Sequence, residues 1–170
     1  MYKYNVYGIG AALVDTEIQI TDADLEHLQV GKGLMTLVGE ERQQELTRYL
    51  KDQLVNSNRA SGGSAANSII AVSAFGGSAF YSCKVADDDD GNFYLDDLSN
   101  AGVKFNLTSA LAKGHTGKCL VFITPDAERS MNTHLGVSEN FSIENLDPTA
   151  ISKSEYLYIE GYLVSSETGR

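Results

Sequence analysis

Apolar runs alternate along the chain with segments that have helical spacing. The run at residues 4–9 is rich in aromatic and β-branched side chains and passes into Gly8-Ile9-Gly10. This pattern is typical of a buried strand that ends in a tight turn. Further strands are predicted at residues 79–85, 103–105 and 156–159, and the last of these is expected to be short and buried.

The first long helical pattern covers residues 37–54. Leu46, Leu50 and Leu54 lie at i, i+4 and i+8, and charged side chains fill many of the positions between them. Such spacing predicts a surface helix that packs one face against a sheet. A polar loop is expected directly after it, at residues 56–59.

Two more helices are predicted between the later strands. One opens at Ser61-Gly62-Gly63 and stops at Gly76-Gly77, and the other runs through residues 93–101 and ends at Gly102. Strands and helices that alternate in this order favour an α/β fold with a mainly parallel sheet covered by helices.

The segment at residues 107–135 has a different pattern. Apolar residues 120–123, a turn at Thr124-Pro125-Asp126 and residues 130–134 predict an antiparallel hairpin. We expect this hairpin to belong to a small β appendage and not to the parallel sheet.

The last residues indicate a further helix. Ser165-Ser166-Glu167 follows the predicted strand at 156–159 and resembles a helix start with Ser166 at its N-cap. Because a parallel strand needs a crossover helix and usually a next strand, the sequence is expected to be one portion of a longer fold.

Composition and charge limit the class of partner. The 170 residues include 13 Lys and Arg against 23 Asp and Glu, which gives a formal net charge of −10. Nucleic acid is therefore an unfavourable partner, since affinity for its phosphates comes mainly from Lys and Arg. The sequence has neither a secretory pattern nor an apolar stretch long enough to span a bilayer, so we expect a cytoplasmic protein that does not bind membranes.

The side chains that most often bind metals give no recognisable pattern. Cys83 and Cys119 stand alone in apolar segments and are interpreted as buried thiols. The acidic run at residues 87–90 is interpreted as a solvated turn, because Ala86 occupies the first ligand position of a calcium loop. Three histidines share no metal-ligand spacing and are interpreted as surface or packing residues: His27, His115 and His134.

Two places remain as candidates for binding. Asp15 comes shortly after the glycine-bounded first strand, and Gly62, Gly63 and Asn67 lie at the start of a helix. Adjacent glycines allow close approach of a ligand to the backbone, and an amide one turn into the helix could bind hydroxyl groups. A capped helix start without a ligand explains the same residues equally well.

These residues also form a pattern that resembles the N-terminal signature of the PfkB, or ribokinase-like, carbohydrate kinases. The signature segments are Gly62-Gly63-Ser64-Ala65-Ala66-Asn67, Gly76, Val85-Ala86-Asp87-Asp88 and Gly91. Further counterparts are Gly8 to Asp15, Thr116-Gly117-Lys118-Cys119, Arg129-Ser130-Met131 and Tyr156 to Tyr162. Within the family, the local motifs are most similar to those of adenosine kinases.

The resemblance implies a ribokinase-like fold, of which residues 1–170 are the N-terminal portion. In that fold a parallel sheet carries helices on both faces and a small β-sheet lid. The lid segments are expected at about residues 16–36 and 107–135, inserted in the α/β core.

The resemblance also implies a reaction, the transfer of a phosphoryl group from ATP to a hydroxymethyl group of a sugar or nucleoside. Asp15 would accept hydrogen bonds from vicinal hydroxyls, and Gly62 and Gly63 would form a hinge beside the sugar. Asn67 would bind a hydroxyl, and Tyr162 would stack on a base. ATP and Mg²⁺ would be bound mainly by residues outside this sequence.

The motifs that the family uses for catalysis are absent from these 170 residues. Neither the Asn-x-x-Glu motif for magnesium and phosphate nor the Gly-Ala-Gly-Asp motif with the catalytic base occurs. No catalytic residue is therefore assigned in this chain. The alternative hypothesis is a non-catalytic binding fragment, which could form a homodimer through the lid.

Overall fold

The computed structural model describes residues 2–54 and 57–169, which form two compact units. The first unit contains the chain up to Val14, Ser61–Gly117 and the chain from Leu135 onward. The second unit contains Asp15–Ala60 and Lys118–His134.

Strands and helices alternate through both units. The strands are β1 Tyr4–Ile9, β2 Leu13–Gln19, β3 Met35–Leu37, β4 Asn58–Gly62, β5 Ala79–Ser82, β6 Val85–Ala86, β7 Leu111–Ala112, β8 Gly117–Ile123, β9 Arg129–His134 and β10 Ser154–Ile159. The α-helices are α1 Asp22–His27, α2 Glu40–Tyr49, α3 Lys51–Leu54, α4 Ser64–Ala74, α5 Asp89–Asn100, α6 Leu107–Ala110 and α7 Pro148–Ser152. Short 3₁₀ helices cover Gly136–Asn140, Ile143–Asn145 and Gly161–Ser165.

The first unit is built on a parallel sheet. Its described strands lie in the order β10-β1-β5, with Val6 opposite both Tyr156 and Ala79. Lys104 extends the pairing beyond β5 through a parallel bridge to Phe80. The predicted parallel sheet and the extended segment at 103–105 are therefore confirmed.

Two groups of buried side chains hold this sheet and its helices together. One joins α4, β5 and α5, and the other includes the first strand and α7. The first group includes Ile69, Tyr81, Tyr94 and Leu98, and the second includes Tyr7, Phe80 and Ala150. The apolar spacing of the sequence thus gives helices that pack on the sheet.

The ends of the two long helices follow from local chemistry. Gly76 and Gly102 have φ of +86° and +78° directly after the C-caps of α4 and α5, as predicted. The interpretation of residues 87–90 as a solvated turn is right only for its first half, because Asp87 and Asp88 lie in a bend whereas Asp89 and Asp90 begin α5. Asp88 is the N-cap of α5 and accepts a hydrogen bond from the Gly91 N–H at 2.8 Å, and Asp89 and Asp90 form its first turn.

The second unit has its own sheet and its own core. The described strands lie in the order β3-β9-β8-β2-β4, and β8 and β9 form the predicted antiparallel hairpin. Helices α1 and α2 place Leu25, Leu46 and Leu50 in one buried cluster with Leu120 and Phe122.

The helix predicted at residues 37–54 is shorter and interrupted. Leu37 belongs to β3, α2 begins at Glu40, and Leu50 separates α2 from α3. Leu50 is nevertheless fully buried, because its side chain completes the same apolar cluster. The leucine spacing therefore identified the buried face of the helix but not its ends.

Two predictions near the ends of strands are wrong. Asn58 and Arg59 begin β4 instead of a loop, while Asn56 lies outside the described residues. Ser166 is not the start of a helix, because its N–H donates to the Leu163 carbonyl at 3.3 Å and closes the 3₁₀ helix Gly161–Ser165.

The strand predicted at 156–159 is present as part of β10, but its side chains are not buried. Tyr156, Leu157, Tyr158 and Ile159 are 40 to 64% exposed. The cause is the position of β10, which pairs with β1 on one side and has no strand from the described residues on the other.

No helix in residues 2–54 and 57–169 has the length and apolar character needed to cross a membrane.

Candidate substrate-binding site

Gly62 and Gly63 form the junction between β4 and α4. Gly63 has φ of +100°, and a Cβ placed on it would lie 2.6 Å from the carbonyl oxygen of Ala11. Both observations require glycine at this position. The Tyr94 hydroxyl donates to the Gly62 carbonyl at 3.1 Å and fixes the other side of the junction.

Asn67 lies in the first turn of α4, with an exposed side chain. Its backbone N–H donates to the Gly63 carbonyl at 3.0 Å. Ala65 and Ala66 point into the core, so the helix start is anchored while the Asn67 amide faces outward. The amide can therefore donate and accept hydrogen bonds with a polar ligand.

Glu160 is a buried carboxylate between the end of β10 and the start of α4. One oxygen accepts from the Ala11 N–H at 3.1 Å, and the other accepts from the Ala65 N–H at 3.1 Å and the Ser64 hydroxyl at 2.9 Å. Sequence reasoning assigned no role to this residue. Its one signal was its place directly after a predicted parallel strand, since ligands of α/β proteins bind at that end of the sheet.

Tyr162 lies two residues after Glu160, in the 3₁₀ helix Gly161–Ser165, and its side chain is exposed. Tyr162, Glu160 and Ala11 line a common small cavity of the first unit. The structure thus brings the segment that carries Tyr162 to the same region as the start of α4.

Asp15 lies on β2 in the second unit. Burial raises the pKa of its carboxyl to about 6, the Arg129 guanidinium opposes this rise, and Glu17 adds to it. Arg129 forms an ion pair with Glu17. Asp15 is therefore a half-buried carboxyl group that titrates near pH 6.

The two cysteines are buried free thiols, as predicted. Burial raises the pKa of Cys83 to about 12 and that of Cys119 to about 11. The Thr133 hydroxyl donates to the Cys119 sulfur at 3.3 Å. Both thiols stay protonated at neutral pH and are poor nucleophiles.

Asp88 and Thr116, which belong to the sequence motifs, stabilise the first unit. Asp88 accepts from the Thr116 N–H at 2.9 Å and from its hydroxyl at 2.6 Å. A Cβ on Gly91 would lie 2.0 Å from the Ala86 carbonyl oxygen, so α5 can approach β6 only with glycine there. These motif residues therefore have structural contacts of their own.

Of the predicted site residues, Gly62, Gly63, Asn67 and Tyr162 belong to the first unit and Asp15 to the second. Across the described ranges, no group of three or more His, Cys, Asp or Glu side chains could hold a metal ion.

Comparison of the fold finds several kinases. A probable sugar kinase from Rhizobium etli CFN 42 is 31% identical, with a TM-score of 0.87 over 97% of this chain and 49% of the other. An adenosine kinase from Sinorhizobium meliloti is 35% identical, with a TM-score of 0.88 over 98% and 50%. An adenosine kinase from Schistosoma mansoni in complex with adenosine has a TM-score of 0.83 at 21% identity, over 98% and 49%.

The chain spans about half the length of these structures. A search of curated proteins finds no match. The family described as pfkB family carbohydrate kinase matches residues 29–169. The ribokinase-like α/β fold implied by the sequence motifs is confirmed, and the chain belongs to the pfkB family of carbohydrate kinases.

Proposed function

We propose that this chain supplies the substrate-binding part of a kinase that transfers the γ-phosphoryl group of ATP to a hydroxymethyl group of adenosine or a related ribose-containing substrate. The observation that carries the proposal is the 35% identity, over 98% of the chain, to the adenosine kinase from Sinorhizobium meliloti. The similarity to a probable sugar kinase, at 31% identity, supports a free sugar as an alternative substrate.

The first unit contributes polar groups suited to a neutral sugar. The exposed Asn67 amide bonds a hydroxyl group, and the backbone of Gly62 and Gly63 lies close to the sugar because no side chain intervenes. The exposed ring of Tyr162 stacks on the base of a nucleoside.

Asp15 contributes a carboxylate that accepts hydrogen bonds from vicinal hydroxyls. Such charge-assisted bonds are roughly twice as strong as neutral ones. Since the carboxylate is half-buried, an analogue without the hydroxyls would leave it unpaired, and the site would discriminate against that analogue. The lid is formed by the segments at about residues 16–36 and 107–135, which include the β8–β9 hairpin.

ATP and Mg²⁺ are bound mainly by residues outside this chain. The support is the absence of the Asn-x-x-Glu and Gly-Ala-Gly-Asp motifs from the sequence. Phosphoryl transfer depends on positioning and on charge stabilisation, and this chain contributes the positioning of the acceptor.

The same absence favours a second candidate function, a binding fragment without catalysis that could dimerise through the lid. A cytoplasmic location and the lack of nucleic-acid and membrane partners stay predictions.

Calorimetric titration of the chain with adenosine, and separately with ribose, tests the proposed function. Adenosine is expected to bind more tightly than ribose because the base adds a stacking contact. Asn67→Ala is expected to weaken adenosine binding by about tenfold, the loss of roughly one hydrogen bond.

Asn92→Ala is the matched control, since Asn92 is an exposed asparagine on α5, and it is expected to leave binding unchanged. If the chain binds neither adenosine nor ribose, the proposed function is wrong.

A further inference from the structure

Glu160 connects three segments of the first unit that are far apart in the sequence. Its carboxylate bonds Ala11 after β1, bonds Ser64 and Ala65 at the start of α4, and itself follows β10. Its side chain is only 4% exposed, so it has little surface with which to contact a ligand.

Stability does not account for a carboxylate in this position. Taking a charged group out of water carries a large desolvation penalty, and well-packed apolar side chains often replace buried charged groups without loss of stability. The three donors around Glu160 satisfy the charge but would not require it if the segments merely had to pack. What the carboxylate adds is a fixed geometry between the groups that it bonds.

The packing around Glu160 leaves little freedom for that geometry. A Cβ on Gly10 would lie 2.9 Å from a Glu160 oxygen, and one on Gly63 would lie 2.6 Å from the Ala11 carbonyl oxygen. Residues 10–11 and 63–65 are therefore held at close range by contacts on both sides. A small change at Glu160 is expected to move the start of α4.

Glu160 also changes what the start of α4 can bind. The Ala65 N–H is one of the N–H groups in the first turn of α4 that have no partner within the helix, and the helix dipole attracts anions to this end. Because the carboxylate already takes this donor and adds a negative charge, a phosphate group is disfavoured there. A neutral ligand that bears hydroxyl groups remains suitable for the Asn67 amide.

We propose that Glu160 is a positioning residue that holds the start of α4 against Ala11 and thereby places Gly63 and Asn67 for the hydroxyls of a neutral substrate. This inference rests on the proposed function, and it assigns to Glu160 no contact with the substrate itself.

A double-mutant cycle between Glu160→Gln and Asn67→Ala, read by calorimetry with adenosine, tests the proposal. Glu160→Gln is expected to weaken binding by about tenfold in the unaltered chain and by less than about twofold in the Asn67→Ala background, because residues that act together are not additive. Glu144→Gln, the exchange of an exposed glutamate of the same unit in the 3₁₀ helix Ile143–Asn145, is expected to leave binding unchanged.

A second measurement does not depend on a ligand. Amide hydrogen exchange is expected to become faster at Ala11 and at residues 65–67 in Glu160→Gln, while α5 keeps its protection. If Glu160→Gln does not fold, Ser64→Ala removes one of the three donors and is expected to give the same coupling with Asn67 at reduced size.

The outcomes separate the two proposals. Equal losses in both backgrounds, or unchanged exchange at Ala11 and Ala65, would show that Glu160 has no positioning role while adenosine binding stands. Failure of the unaltered chain to bind adenosine or ribose would instead contradict the proposed function, and the role of Glu160 in substrate placement with it.

Discussion

At the scale of single residues, Asp15 carries a carboxyl group that is partly buried. Burial raises its pKa to about 6 from the ordinary value of 3.8, so the folded chain holds the proton more tightly than the unfolded chain. The free energy of unfolding therefore falls as the pH rises between these two values, and the ionised carboxylate is a local cost above pH 6.

This cost predicts that Asp15→Asn stabilises the chain at high pH. Its melting temperature is expected to exceed that of the unaltered chain above about pH 7, with a difference that shrinks towards pH 4. Thermal unfolding followed by circular dichroism measures the difference. Asp52→Asn, an exposed aspartate of the same unit, serves as control. A lower melting temperature for Asp15→Asn above pH 7 would contradict the assignment of burial as the dominant cause.

The same carboxyl predicts how substrate binding depends on pH. If ionised Asp15 accepts hydrogen bonds from the sugar, adenosine affinity is expected to fall by up to about tenfold per pH unit below pH 6. Asp15→Asn is expected to bind more weakly at neutral pH and to lose this dependence. Calorimetry over the range tests it, and an unchanged affinity in Asp15→Asn would rule out the proposed role.

Gly63 gives a prediction about backbone geometry. Gly63→Ala combines a positive φ with a contact of 2.6 Å to the Ala11 carbonyl, so a loss of about 2 kcal/mol or more in the free energy of unfolding is expected. Gly161→Ala is the control, because a Cβ there meets nothing within 4 Å. Denaturant unfolding compares them, and equal stability of both variants would contradict the geometry at Gly63.

At the scale of elements, β10 has an apolar edge. Tyr156, Leu157, Tyr158 and Ile159 are exposed on a strand that pairs only with β1 among the described residues. Unpaired strand edges with apolar side chains promote association between chains. The sequence pattern predicted a buried strand because it reports apolar character and not the presence of a neighbour.

This edge predicts self-association of the chain that depends on concentration. Leu157→Lys is expected to shift the population towards monomer, because a charge on an edge strand opposes pairing. Ile143→Lys is the control, since Ile143 is also apolar and is 81% exposed, against 54% for Leu157, but lies in a 3₁₀ helix and not in a strand. Light scattering over a concentration series measures both, and a highly soluble monomer at all concentrations would contradict the prediction.

At the scale of the whole molecule, acceptor binding and phosphoryl transfer are expected to separate. The net charge of −10 offers little positive potential for a polyphosphate, and the chain spans about half of the kinases that it matches. Incubation with adenosine, ATP and Mg²⁺ is therefore expected to yield no AMP above the blank. Turnover that persists on purification and is lost in Asp15→Asn would show that the chain is catalytic by itself.

The sequence by itself determined the α/β class, the hairpin and the family. These features depend on local patterns, such as the leucine spacing of α2, glycines after helix ends and the segment from Gly62 to Asn67. Periodicity and backbone conformational freedom depend on residues that are neighbours in the sequence, so they can be recognised without a structure.

Only the tertiary structure decided which surfaces and charges matter. Four features depend on partners or neighbours distant in sequence: the exposure of β10, the bonds from Thr116 to Asp88, the raised pKa of Asp15 and the three bonds of Glu160. Burial and hydrogen bonding are set by neighbours in space, and a single sequence does not reveal which of its residues those neighbours are.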